Sequence, residues 1–114
     1  IGHFDVLTKL NRDGSLFDEQ CPRYVSAWRQ AADTLLKAGV PFEINTGAIG
    51  RGYRPDAYPA LPIRRYLRDH GARFVLSSDC HQKEALRCDF ERQERLCAAE
   101  GMQLLTELEW RKQA

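Results

Sequence analysis

Three times along the chain an amphipathic run at helical spacing is followed by a glycine and then a short apolar run. The first run spans roughly Glu19 to Ala38 and sets Val25, Trp28, Ala32, Leu35 and Leu36 on one helical face. Pro22 suits the first turn of that helix, where its missing N–H costs nothing. Gly39 ends the helix in a left-handed conformation, and Val40-Pro41-Phe42-Glu43-Ile44 follows as a strand with Pro41 at its start. The second helix runs from about Pro62 to His70, buries Ile63, Tyr66 and Leu67, and stops at Gly71 before the strand Arg73 to Leu76. The third runs from about Phe90 to Glu100, with Asp89 as N-cap and Phe90, Leu96 and Cys97 on its inner side. Gly101 ends it, and Met102 to Leu108 is the third apolar run.

The capping glycines Gly39, Gly71 and Gly101 recur at separations of 32 and 30 residues, the length of one helix, one strand and their loops. Strands alternating with helices imply a parallel sheet or an α/β barrel. Between the first two units lies Asn45 to Ala60, a loop of about 16 residues rich in Gly and Pro. Connections of that length are uncommon without a function of their own.

Composition narrows the picture. A chain of 114 residues with 43% hydrophobic positions holds one domain with a packed core. Seventeen basic and sixteen acidic residues leave a formal net charge of +1, which gives no electrostatic reason to expect nucleic acid or an anionic membrane as partner. No apolar run approaches the roughly 18 residues a membrane span needs. Cys21, Cys80, Cys88 and Cys97 fit no C-x-x-C zinc pattern, and reduced thiols in a cytoplasmic protein are expected. The chain opens on Ile1-Gly2-His3-Phe4-Asp5 without an initiator Met, which reads as the tail of a strand cut off upstream.

In parallel α/β folds ligands bind beyond the carboxyl ends of the strands. Three such ends carry chemistry here: His3 and Asp5, Glu43 and Asn45, and Ser77-Ser78-Asp79-Cys80-His81. Asp79 and His81 are two apart, and on an extended backbone such residues point the same way. A carboxylate and an imidazole can then converge on one cation, and mixed O and N donors suit zinc, manganese or iron. His3 and Asp5 repeat the spacing in reverse order. Glu43 is an acid between Phe42 and Ile44, costly to bury unless paired, and Asn45 shares its face. In the long loop, Gly50-Arg51-Gly52-Tyr53-Arg54 sets glycines beside arginines, a composition that lets guanidinium groups approach an anion closely. Lys9 adds positive charge after the first strand end. His70 is expected to be structural, and Trp28 and Tyr66 to belong to the core.

Three stretches together resemble the PHP-domain (polymerase and histidinol phosphatase) metallophosphatases. Gly2-His3-Phe4-Asp5 resembles the family's Gly-His-x-Asp segment, and Glu43-Ile44-Asn45 its Glu-x-Asn segment. Ser78-Asp79-Cys80-His81 resembles its last metal motif. The Gly-Arg-Gly-Tyr loop and Leu108-Glu109-Trp110-Arg111-Lys112 look most like the histidinol-phosphatase branch. The resemblance implies that residues 1–114 form the C-terminal half of a distorted (β/α)7 TIM-like barrel, about three βα units with parallel strands. It implies His3, Asp79 and His81 as metal ligands and Asp79 and His81 as catalytic. Arg51, Arg54 and Lys9 would bind the substrate phosphate, and Asp5, Glu43 and Asn45 would line or brace the site. The implied reaction is hydrolysis of a small phosphate monoester, L-histidinol phosphate in histidine biosynthesis, by a metal-activated hydroxide, with a two- or three-metal cluster of zinc, manganese or iron.

The family's His-x-His motif, its middle histidine and the remaining acids are absent from these residues. Three ligands cannot hold two or three metals. The chain alone is therefore expected to be inactive, its unpaired sheet edges to be covered by the N-terminal half of the barrel or by a second copy. Two competing readings are a PHP phosphoesterase acting on nucleotides or nucleic-acid ends, and a non-catalytic α/β binding domain.

Overall fold

A computed structural model describes residues 1–108; the stretch 109–112 that entered the family resemblance lies outside the described residues. The chain folds as a small α/β domain with one three-stranded parallel sheet. After a single 3-10 turn at Val6–Leu10 come α1 (Pro22–Lys37), β1 (Phe42–Asn45), α2 (Gly47–Gly50) and α3 (Leu61–Asp69). The strand β2 (Arg73–Ser77), a 3-10 turn at Lys83–Ala85, α4 (Phe90–Glu100) and β3 (Gln103–Leu104) complete it. The sheet order is β1-β2-β3, so strands neighbouring in sequence neighbour in space, each pair joined by a helical crossover.

The glycine punctuation works as the sequence predicts. Gly39, Gly71 and Gly101 follow the long helices with φ of +68°, +82° and +68°, where a side chain would clash with the backbone. The helices start and stop within about three residues of the expected positions. Asp89 sits at the expected cap of α4 but does not cap it. Its φ is 61°, and its carboxylate accepts from Arg92 and Gln93 instead of from the first backbone N–H groups. The third apolar run forms a strand over Gln103–Leu104 alone.

Register explains the core. Phe42 pairs with Phe74 and Ile44 with Leu76, so Phe42, Ile44 and Phe74 project from one face of the sheet. All three are buried in one cluster with Ala32 of α1, Ile63 and Leu67 of α3 and Cys97 of α4. The long helices thus cover a single face. They are tied to one another at their flanks: Trp28 meets Tyr66 edge-on at 5.3 Å, Tyr66 donates to Asp33, and Arg65 and Arg68 both reach Glu100. Arg64 is completely buried and donates to Gln93 and Asp56. His70 is structural as expected, its ring stacked on Tyr66 and donating to the Tyr66 carbonyl.

The opening residues lie beside β1. The Ile1 amino group donates to the Pro41 carbonyl at 2.6 Å, and the Glu43 amide donates to the Ile1 carbonyl at 2.9 Å. That pair of bonds is the repeat of a parallel ladder, so Ile1-Gly2-His3 enters the same edge of the sheet as the ends of β1 and β2. All four cysteines are free thiols. Among the described residues no helix is long and apolar enough to cross a membrane.

Candidate functional site

Because the strands are parallel, the carboxyl ends of β1 and β2 deliver residues 43–47 and 77–81 to one edge, His3 lies against Glu43 and Asp79 there, and the long loop folds back over it. That loop is ordered by its own bonds. Asn45 and Tyr58 exchange backbone hydrogen bonds of 2.8 and 3.0 Å, which closes 46–57 into a flap and returns Tyr58 to the strand end. The short helix α2 lies within it. A cleft of about 490 Å³ results, lined by His3, Lys9, Arg51, Tyr53, Asp79 and His81 among others.

Asp79 is the hub. Its Oδ2 accepts from His3 Nε2 at 3.0 Å, from Arg51 Nη2 at 3.3 Å and from Asn45 Nδ2 at 3.5 Å. Arg51 Nη1 also donates to the Asp79 carbonyl at 2.8 Å, so the guanidinium straddles one residue. Burial pushes the Asp79 carboxyl up, but the bonds from His3 and Asn45 and the Arg51 charge outweigh it and hold it below the usual carboxylate range. Asp79 and His3 both take left-handed backbone conformations, with φ of 47° and 53°. Non-glycine residues adopt these rarely, and such strain gathers where geometry is fixed by surrounding contacts.

The left-handed turn corrects one premise. Asp79 and His81 do not converge through an extended backbone, because β2 ends at Ser77. They still face one cleft, with His81 Nε2 at 3.9 Å from Asp79 Oδ1 and Arg51 Nη1 at 3.5 Å from His81 Nδ1. Glu43 braces the arrangement: Oε1 accepts the His3 amide at 3.2 Å and Asn45 Nδ2 at 3.0 Å. Asn45 is buried, and its Oδ1 accepts the Gly47 amide at 2.8 Å. The pairing that an acid between Phe42 and Ile44 requires is therefore supplied by His3 and Asn45.

Lys9 reaches the cleft with Nζ 4.5 Å above the Tyr53 ring. Two expected residues lie elsewhere. Arg54 was expected at the substrate, yet its guanidinium bonds the carbonyls of Thr8 and Asn11 and both oxygens of Glu19, pinning the first turn to the loop. Asp5 turns away from His3 because the left-handed His3 reverses the chain. Its Oδ2 accepts the Ala60 amide at 2.9 Å in the interior, where burial raises its pKa against the pull of that bond. Ala48 and Tyr58 also line the cleft, and Tyr58 reaches it because the loop returns to Asn45.

The donor chemistry of His3, Asp79 and His81 suits a divalent transition ion. The donor number does not complete a site: among the described residues no three His, Cys, Asp or Glu side chains are grouped to hold one. Arg51 and His3 occupy the oxygen of Asp79 that a cation would take. Compared with known proteins, the chain matches no family model and no curated protein.

Proposed function

We propose that the chain is the C-terminal part of a PHP-type metal-dependent phosphomonoesterase, with L-histidinol phosphate as substrate. The observation that carries this reading is the shared hub. An imidazole, a carboxylate and a guanidinium from three distant segments meet at Asp79 Oδ2, with His81 on the same cleft. A metal-type donor set and an anion-binding fork side by side are what cleavage of a phosphate ester needs. Two features of the fold support the barrel reading: all strands are parallel, and the three long helices cover one face of the sheet.

In this reading His3, Asp79 and His81 hold one side of a zinc, manganese or iron centre whose other ligands come from chain beyond these 114 residues. Ions held there would supply an acidified water and offset charge on the phosphoryl group. The chain's own residues do the rest. Arg51 offers two parallel N–H groups to phosphate oxygens once they leave Asp79, and Lys9 adds a second positive charge at the cleft. Glu43 and Asn45 fix His3 and Asp79. Arg54 and Asp5 belong to the frame.

The test is phosphate release by the longer protein containing this segment, from L-histidinol phosphate and from nucleoside bisphosphates. Higher efficiency on histidinol phosphate is expected; higher efficiency on the nucleotides would overturn the choice of substrate. Absence of bound transition metal from that protein would favour a binding domain. The 114-residue chain alone should turn over poorly.

A further inference from the structure

Of the glycines in the chain, five have positive φ and are explained by backbone conformation alone. Gly47 is not among them. It opens α2 in a conformation open to any residue, where alanine would favour the helix by about 1 kcal/mol. What forbids a side chain there is space. A Cβ on Gly47 would lie 2.7 Å from Arg51 Nη2, 2.9 Å from Asn45 Oδ1 and 3.1 Å from the Ser78 carbonyl. Gly50, in the same short helix, shows the contrast: its nearest neighbour would be Cys88 Sγ at 3.5 Å, an ordinary contact.

The crowding follows from helical geometry. The Arg51 amide donates to the Gly47 carbonyl at 3.0 Å, so the two residues lie one turn apart on one face. A helical side chain leans back over the turn before it. The Arg51 side chain therefore crosses the bare Cα of Gly47 on its way to Asp79, while the Gly47 amide holds Asn45 Oδ1 from beneath.

We propose that Gly47 is a positioning residue, the socket that allows the Arg51 guanidinium and the Asn45 amide to reach Asp79 together. It acts through Arg51 and touches no substrate. For Nη2 to regain ordinary contact with an added methyl, the guanidinium must shift by several tenths of an ångström, and its bond to Asp79 Oδ2, already 3.3 Å long, has little slack to absorb the move.

The experiment has two arms on the 114-residue chain. Arginine side-chain ¹⁵N spectra report Arg51 directly and need neither metal nor phosphate. The wild-type chain should give resolved, slowly exchanging Arg51 Nη signals, retained in Gly50→Ala and averaged in Gly47→Ala. Unchanged Arg51 signals in Gly47→Ala would overturn the proposal. Should Gly47→Ala fail to fold, Arg51→Ala/Gly47→Ala should fold, since the guanidinium is gone. A double variant that also fails would place the conflict at Asn45 Oδ1 or the Ser78 carbonyl rather than at Arg51 and sink the idea.

The second arm, titration with inorganic phosphate in the presence of Mn²⁺, rests on the proposed function. Gly47→Ala should shift the affinity about tenfold, through the freed guanidinium alone, and so change almost nothing in an Arg51→Ala background. Equal fractional changes in both backgrounds would overturn the coupling. A wild-type chain that binds no phosphate would count against the phosphatase reading, and the spectra would still decide the role of Gly47.

Discussion

Arg54→Ala separates a structural brace from a substrate contact. Arg54 Nη1 has two hydrogens facing three acceptors at 3.1 Å, the Thr8 and Asn11 carbonyls and Glu19 Oε2, and Nη2 adds Glu19 Oε1 at 3.2 Å. The ion pair is mostly shielded, with side-chain exposures of 17% and 25%. A hydrogen bond to a charged group contributes about 1.5–3 kcal/mol, and the part-exposed pair takes the low end. Two effective bonds then give about 3 kcal/mol, including the Glu19 charge left with Asn11 as its remaining side-chain donor. In a domain of this size the melting temperature should fall by roughly 12 °C or more. Urea titration of the wild type, Arg54→Ala and Arg54→Lys measures it. A single ammonium cannot span the carbonyls and the carboxylate, so lysine should recover less than half. A loss below about 1 kcal/mol would refute the brace. Unchanged stability together with lost phosphate binding would return Arg54 to the substrate.

Leu67→Ala removes a fully buried side chain from the centre of the core and should destabilise by about 2–5 kcal/mol in the same titration; a smaller loss would mean the helices do not pack on the sheet as described. Burial pushes the Asp89 carboxyl up, but bonds from Arg92 and Gln93 pull it below its ordinary 3.8, so the native state binds fewer protons than the unfolded one. Asp89 therefore contributes stability above pH 3.8 that is lost as pH falls through its lower native value. Asp89→Asn tolerates the left-handed backbone and removes only the charge. It should destabilise near neutral pH, with the gap to wild type closing in acid; a pH-independent gap would contradict the ion pair.

The parts of this fold that were legible in the sequence rest on local physics. Helix periodicity and the left-handed glycines at 39, 71 and 101 act within a few residues, and the parallel alternation follows from them. The position of Asp79 and His81 just beyond the end of β2 was legible for the same reason. Arg51 and Arg54 were not separable, because they lie three residues apart in one loop and differ only in what the tertiary fold sets opposite each. Asp5 and Tyr58 depend on the reversal at His3 and on the return of the loop to Asn45, neither of which leaves a local mark. Gly47 carries no local mark in the sequence, because what sets it apart is the Arg51 side chain that crosses it.

In the proposed function His3, Asp79 and His81 form one side of a metal centre beside a phosphate-binding arginine. Anomalous diffraction from crystals of the chain soaked in Zn²⁺ tests it most directly. The account predicts a peak bonded to His3 Nε2 and the Asp79 carboxylate at about 2.0–2.2 Å, within reach of His81, with Arg51 released from Asp79. Zinc bound elsewhere on the protein, with the 3.0 Å His3–Asp79 hydrogen bond intact, would contradict it.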